Sequence, residues 1–310
     1  MFIASHVGEL PKSSGTGVTI GNFDGVHKGH QALIRRTLAG CREQGADCVL
    51  VTFWPHPRSI VAPKNTHAPL NSRERRMELL SSLGVERVLE LPFTRAMAAY
   101  TPEEFVCACL LPLNMRSLTV GHDFSLGRTR AGTVDVLCAL GAVYGFSVEQ
   151  LEAVIEDSAV VSSTLLREMI ACGDVRRAAR LLGRQYGFRG EVARGRGKGR
   201  ELGFPTANLL PPGILLPAFG VYATRMRVGE RCLRSVTNVG VRPTFGVSEV
   251  TVESFLPDSA ENLYGRRVLL EFVERLRGER RFESGEALSR QIADDVAQAC
   301  RILDVEASVV

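Results

Sequence analysis

Long apolar runs are missing from this 310-residue sequence; none approaches the roughly 20 residues that a bilayer-crossing helix needs. The opening stretch "MFIASHVGELPKSSG" lacks both a basic start and an apolar middle, so no signal peptide is expected there. Eight cysteines, at positions 41, 48, 107, 109, 138, 172, 232 and 300, never form CxxC and show no Cys/His spacing of a zinc site. Cys107 and Cys109 stand too close together for a relaxed bridge. Most cysteines lie in apolar runs such as "DCVLVTF", which predicts buried free thiols and a reducing, cytoplasmic setting. Charge of one sign is also scarce in excess: the net charge is +4. That permits a phosphate-bearing partner but falls short of the basic stripe of a dedicated nucleic-acid binder. Neither nucleic acid nor membrane is expected as a partner. Internal repeats and low-complexity tails are absent.

What remains is an ordinary globular composition, 45% hydrophobic and 23% charged, at a length that suits one large domain or two ordinary ones. Residues 17–23, 47–53, 85–91 and 117–121 read as strands. Helices are predicted between them over 28–44, 71–84 and 101–111, and after the last over 133–145. The 101–111 helix carries Thr-Pro at its start, and both 71–84 and 133–145 end on glycine. This alternation predicts an α/β unit with a parallel sheet covered on both faces, in which ligands bind beyond the C-terminal ends of the strands. Two further helices, broken at Gly173, are predicted over 162–183. From about 187 the texture changes to short alternating segments such as "FRGEVA", "GVYATRMRV" and "EVTVESFL". That is an antiparallel sandwich or barrel, closed by a helix over 284–303. The expected domains are therefore 1–183 and 184–310.

The segment "GNFDGVHKGH", residues 21–30, sits where the first strand meets the first helix. Gly21 and Gly25 permit a tight turn that a ligand can approach, and the free N–H groups of a helix start attract phosphate. His27 and His30 stand three apart and so share one helix face. Gly29 between them is expected to leave room for a bulky phosphate. Paired imidazoles there can donate to charge that builds on a polyphosphate. The plainer alternative is two surface histidines in a turn. Further on, Ser162, Ser163 and Thr164 form a helix start with Arg167 one turn in, either an anion receptor or a plain cap with a surface arginine. His56, held between two prolines, is read as functional or structural with neither favoured.

"GNFDGVHKGH" resembles the GxFDGxHxGH signature of nucleotidylyltransferases. It is most similar to the N-terminal module of bacterial bifunctional FAD synthetases (riboflavin kinase/FMN adenylyltransferase). "TFWPHPRSIVAP", "LPFTRAMAAYTPEEF", "VGHDFSLGRTRAG" and "VSSTLLREMIACGDVRRAARLLGRQY" follow in that family's order, and the resemblance covers residues 15–305. It implies a Rossmann-like N-terminal domain and a riboflavin-kinase barrel after it. It also implies that His27 and His30 stabilise the phosphates of ATP, and that Gly21, Phe23, Asp24 and Gly25 shape the nucleotide pocket. Ser162, Ser163, Thr164 and Arg167 match a second nucleotide motif. Asp123 and Phe124 match a flavin-side loop, with the aromatic ring available for stacking.

The second half opens on "RGRGKGRELGFPTANLLPP", residues 194–212. A basic glycine-rich run reads by composition as a nucleic-acid segment, yet it leads at once into "GFPTAN". Glycines among basic residues can instead form a flap over a triphosphate. Thr206 and Asn208, two apart on a strand, face one way and offer a hydroxyl and an amide oxygen for Mg²⁺. "GRELGFPTAN" is similar to the PTAN signature of riboflavin kinases, and "GVYAT", "TNVGVRPTFG" and "LYG" match as well. The resemblance implies that Thr206 and Asn208 hold the metal–nucleotide. Gly195, Lys198, Gly203 and Pro205 fall on the nucleotide side and Asn238 on the flavin side. Glu253 matches the catalytic glutamate that takes the proton of the riboflavin 5′-hydroxyl. Three departures stand out: Leu126 where the family has an aromatic, Arg196 where the flap has an acid, and Phe255 where histidine is common. They bear on efficiency. The implied activity is phosphorylation of riboflavin to FMN with ATP, then adenylylation of FMN to FAD with a second ATP, releasing ADP and pyrophosphate in turn. The alternatives are one activity retained beside a scaffold module, or a nucleic-acid binder using residues 194–200.

Overall fold

The computed structural model describes residues 1–65, 67–195, 199, 203–244, 247–259 and 261–307. Lys198 and Arg196 lie outside the described residues. The chain folds as two compact units, residues 1–67 with 76–162 and residues 68–75 with 163–310.

The first unit is built on six strands: β1 (Phe2–Ala4), β2 (Thr16–Ile20), β3 (Asp47–Trp54), β4 (Arg87–Pro92), β5 (Met115–Val120) and β6 (Ser147–Gln150). They run in the order β1-β4-β3-β2-β5-β6, and every neighbouring pair is parallel. A parallel sheet is covered on both faces, so its central strands are apolar or small throughout. All five residues of β2 are buried. Alternation then divides the strands between two cores. Val49, Val51, Leu89 and Leu91 join one core, with Val18, Ile20, Phe105 and Leu137. Leu50 and Val88 join the other, with Phe23, Leu33, Ile34, Met77 and Leu80. The helices are α1 (Lys28–Glu43), α2 (Pro57–Val61), α3 (Arg73–Ser82), α4 (Arg95–Ala98), α5 (Pro102–Phe105) and α6 (Val134–Tyr144). A small hairpin, β7 (Ile155–Glu156) with β8 (Ala159–Val160), follows the sheet.

Two expected elements change. The first strand stops at Ile20 rather than at 23, because Phe23 and Val26 adopt left-handed backbone angles (φ 49° and 42°) that no strand accommodates. The helix expected over 101–111 is instead α5 followed by a π-helical turn, Val106–Leu110, and a 3₁₀ turn, Leu111–Leu113. Pro112 has no N–H to continue an α-helical ladder, and the chain rewinds to pass it. The thiols also differ: Cys41 and Cys109 are buried, but Cys107, Cys138, Cys172 and Cys232 are exposed. Val106 beside Cys107 and Leu137 beside Cys138 are buried, while the thiols themselves occupy outward positions.

The second unit begins with α7 (Ser163–Cys172) and α8 (Val175–Leu182), separated at Gly173, whose φ is 88°. Then come β9 (Tyr186–Ala193), β10 (Thr206–Leu210), β11 (Gly220–Val228), β12 (Arg231–Thr244), β13 (Val247–Phe255) and β14 (Arg267–Arg277). These close into an antiparallel barrel in the order β10-β13-β12-β11-β14-β9, with β9 and β10 also paired. A long helix, α9 (Gly285–Ala307), ends the chain. Side chains alternate along β11: Tyr222, Thr224 and Met226 are fully buried, while Val221 and Ala223 pack with Ala299 and Leu303 of α9. The barrel core is partly polar. Thr224, Ser235, Thr237 and Ser254 link hydroxyl to hydroxyl at 2.6–2.7 Å across three strands.

Helices α7 and α8 precede residue 183 yet belong to the barrel's unit. Helix α8 buries Val175, Ala178, Leu181 and Leu182 and packs on β9 and β14. Arg275 of β14 donates to the carbonyl of Cys172 at the end of α7, 3.2 Å away. Burying a Leu or Val side chain is worth about 1.5–3 kcal/mol, against a net domain stability of about 5–15 kcal/mol. A polypeptide of residues 163–310 is therefore expected to unfold cooperatively in urea, and one of residues 184–310 to lose most of its stability. Circular dichroism during urea titration measures both. Equal midpoints would make α8 an appendage.

Candidate active sites

At the C-terminal end of β2 the N–H of Gly21 still donates to Val51 O at 3.1 Å, and then the chain leaves the sheet. The turn that follows is strained. Val26 is β-branched and left-handed, an arrangement that costs on the order of 1–3 kcal/mol and persists only where the surroundings fix it. Phe23 and Val26 are both buried, and Gln31 Nε2 donates to the Val26 carbonyl at 3.0 Å. Asp24 is buried within the same turn.

Helix α1 is capped by an imidazole. His27 is its N-cap, and Nδ1 accepts from the N–H of residue 30 at 3.3 Å. An accepting Nδ1 carries no proton, so neutral His27 holds its proton on Nε2 and is a donor there. The His27 and His30 rings stack, with centroids 3.7 Å apart and planes 18° apart. The Phe23 ring meets His30 edge-on at 5.3 Å. The structure therefore brings Phe23, His27 and His30 together at a helix start. Gly29 serves differently from the expectation. A Cβ there would lie 3.1 Å from His27 Nδ1, so glycine admits the histidine ring rather than leaving open space.

Other residues singled out in the first unit are placed as follows. His56 caps α2, its Nδ1 accepting from the Arg58 N–H at 3.2 Å. Asp123 is exposed, and Arg130 Nη2 donates to its carbonyl at 3.1 Å. Phe124 is half-buried against the Val18–Leu118 core, so part of its ring is already in use. Leu126 is buried in that core, which absorbs the departure from an aromatic. Ser162 closes the first unit, while Ser163, Thr164 and Arg167 start α7 in the second. Arg167 Nη1 donates to the Ser163 carbonyl at 3.2 Å. Two buried side chains went unnoticed in the sequence: Arg76 of α3 and Glu90 of β4, an ion pair at 2.9 Å.

In the barrel, register assembles the second site. Asn208 of β10 and Asn238 of β12 both stand opposite Glu253 of β13. One row across three strands thus reads Asn208–Glu253–Asn238, and the next reads Thr206–Phe255–Val236. Between these positions Ala207, Ser254 and Thr237 are buried, as is Val252 before Glu253. A cavity of about 360 Å³ lies beside the rows. Thr206, Asn238, Glu253 and Phe255 line it from the barrel, and Leu288, Ile292 and Asp295 from α9. Its wall is locked by a buried pair: Arg277 Nε donates to both carboxylate oxygens of Asp295 at 3.0 Å, and Arg277 Nη2 donates to Oδ2 at 2.7 Å. Glu279 also lines the cavity, against Gly240, where a Cβ would sit 2.2 Å from its carboxylate. The sequence reading did not single out Arg277, Asp295 or Glu279, because only the closure of α9 onto the barrel gathers them. Phe255 meets Phe204 edge-on at 5.3 Å. Gly195 earns its place by contact: a Cβ would fall 2.1 Å from Asn208 Nδ2. Gly203 has a φ of 85° in the turn before Pro205.

The chain matches known proteins along nearly its whole length. The FAD synthetase family model covers residues 10–165, and the riboflavin kinase family model covers residues 182–303. A bifunctional riboflavin kinase/FMN adenylyltransferase of Pseudomonas fluorescens is 39% identical over 291 residues, 93% of each chain. Proteins of the same description from Escherichia coli K12 and Bacillus subtilis are 35% and 32% identical, and at least 90% of each chain is covered in both alignments. A crystal structure from Streptococcus pneumoniae, titled a macrolide-efflux protein, superposes with a TM-score of 0.86 at 28% identity, covering 96% of this chain and 97% of that one. Among the described residues here no helix is long and apolar enough to cross a membrane.

Proposed function

The chain belongs to the bifunctional riboflavin kinase/FMN adenylyltransferase family, and from that premise we propose a division of labour between its two units. The barrel unit transfers the γ-phosphate of ATP to riboflavin, giving FMN and ADP. The sheet unit transfers AMP from a second ATP to FMN, giving FAD and pyrophosphate. The observation that supports this reading is that each unit holds its own polar constellation: the stacked histidines at a helix start, and the Asn208–Glu253–Asn238 row beside a cavity. The working compartment is the cytoplasm.

In the barrel, the apolar flank of the cavity, Val221, Val236, Phe255 and Ile292, takes the flavin ring. Asn238 holds its polar edge. Glu253 accepts the proton of the flavin's 5′-hydroxyl as that oxygen attacks the γ-phosphorus. Thr206 and Asn208, with Gly195, Gly203 and Pro205 around the nucleotide, would hold Mg²⁺ through the bound phosphates. Among the described residues no three His, Cys, Asp or Glu side chains gather as metal ligands. The donor set at hand is a hydroxyl and an amide oxygen, which suits a hard cation that keeps few protein ligands. Magnesium would supply charge neutralisation of the triphosphate.

In the sheet unit, a phosphate oxygen of FMN attacks the α-phosphorus of ATP and pyrophosphate leaves. His27 and His30 donate to the oxygens on which charge grows, and Gly21, Phe23, Asp24 and Gly25 shape the nucleotide's seat. Ser162 is a further polyphosphate ligand, and Asp123 and Phe124 approach the flavin. Incubating the chain with riboflavin, ATP and Mg²⁺ and separating the flavins by chromatography tests both halves. FMN is expected first and FAD after it. FMN without FAD would reject the assignment of the sheet unit; FAD from supplied FMN, without FMN from riboflavin, would reject that of the barrel.

A further inference from the structure

Arg76 and Glu90 form an ion pair that solvent barely reaches: their side chains are 6% and 5% exposed. A buried pair of this kind is a weak source of stability, since desolvation offsets most of its attraction. Its location suggests another use. The Arg76 guanidinium donates to three acceptors in the first unit: Glu90 Oε1 at 2.9 Å, the carbonyl of Asn22 at 3.0 Å and the carbonyl of Phe53 at 3.3 Å. It also lies 5.7 Å from the centroid of the Trp54 ring. Asn22 belongs to the turn after β2 that leads to His27 and His30. Phe53 and Trp54 end the neighbouring strand β3. One planar fork thus ties together the two strand ends beyond which a parallel sheet holds its ligands.

We propose that Arg76, itself oriented by Glu90, is a positioning residue for adenylyl transfer. It fixes the carbonyl of Asn22, and through the strained turn Phe23–Val26 it fixes the N-cap histidine and the ring stacked on it. The strain in that turn makes a fastener necessary, because Val26 in the left-handed region relaxes unless its flanks are held. Only a guanidinium serves three acceptors in one plane; an ammonium of similar reach is a point charge. The proposal rests on assigning adenylyl transfer to the His27–His30 corner.

The test exploits the chain's single tryptophan, Trp54, and its second activity. The wild-type chain is assayed first for FAD synthesis from FMN; its absence would overturn the assignment of the corner and the proposal with it. The paired substitution Arg76→Met/Glu90→Leu removes both charges and keeps apolar bulk, so the unit is expected to fold with a thermal midpoint near wild type. Turnover in FAD synthesis is expected to fall by about tenfold or more, since misplacement of about 1 Å can cost up to about 10²-fold. Riboflavin phosphorylation, carried by the other unit, is expected to stay unchanged, and Trp54 emission to shift as its cationic neighbour goes. Wild-type FAD turnover in the folded double variant would reduce the pair to a structural element and overturn the proposal. Should the double variant fail to fold, Arg76→Lys decides. Lysine keeps the charge opposite Glu90 but cannot hold both carbonyls, so a loss of FAD turnover at unchanged thermal midpoint supports the proposal and wild-type turnover overturns it.

Discussion

Replacing Glu253 by glutamine is expected to abolish FMN formation from riboflavin while leaving FAD formation from supplied FMN intact. The side chain stands in the middle of three strands, flanked in register by two amides, Asn208 and Asn238. It lines the cavity rather than joining the buried row of Val252 and Ser254. Glutamine has the same length and branching, so barrel packing is preserved. What disappears is the capacity to accept a proton from the attacking hydroxyl. A positioned general base typically contributes roughly 10²–10⁴-fold, and that is the expected loss in turnover. Riboflavin affinity is expected to change little, because apolar walls such as Val221, Val236 and Ile292 are untouched. Steady-state phosphorylation of riboflavin is the measurement, with adenylylation of FMN by the same preparation as the internal control. A loss below about threefold, far under the usual contribution of a base, would assign Glu253 a structural role.

The parts legible in the sequence were those written in local pattern. Apolar strands such as β2 and β3 announce a parallel sheet, and alternation along β11 and β13 announces an antiparallel barrel. The glycine-rich corner before α1 and the pairing of Thr206 with Asn208 could be found by spacing alone. What escaped depends on contacts between segments far apart in the chain. Edge strands β1 and β6 are short, and "SVEQ" carries a single apolar residue, so no period marks it as a strand. Arg76 reads as one more charge in "NSRERRMELL" until α3 lies against the ends of β2 and β3. Arg277 and Asp295 are 18 residues apart and meet only when α9 closes over the barrel. Gly29 was misread because a glycine's reason lies in its neighbour: the His27 ring fills the space that its missing Cβ leaves.

Substituting alanine for His30 is expected to cripple FAD synthesis while riboflavin phosphorylation stays at the wild-type rate. The geometry favours this variant as a clean probe. The cap of α1 uses the backbone N–H of residue 30 and the Nδ1 of His27, so it survives loss of the His30 side chain. The ring's contacts include the stack on His27 and the edge of Phe23, and Phe23 keeps its place in the Leu33–Ile34–Leu80 core. The helix start and the fold are therefore expected to persist. His27→Ala is a poorer probe, because removing an N-cap acceptor costs about 1 kcal/mol of stability in addition to any catalytic effect. For His30→Ala the loss should be kinetic. A donor aimed at oxygens whose charge grows as pyrophosphate departs binds the transition state more tightly than the ground state, so turnover falls further than ATP affinity. Removing one such donor from a preorganised site typically costs on the order of 10²–10³-fold in turnover. Steady-state FAD synthesis from FMN, with circular dichroism to confirm the fold, measures it. A folded variant with near wild-type turnover would leave the two stacked rings as packing for a strained turn, and the sheet unit would need another source of transition-state stabilisation.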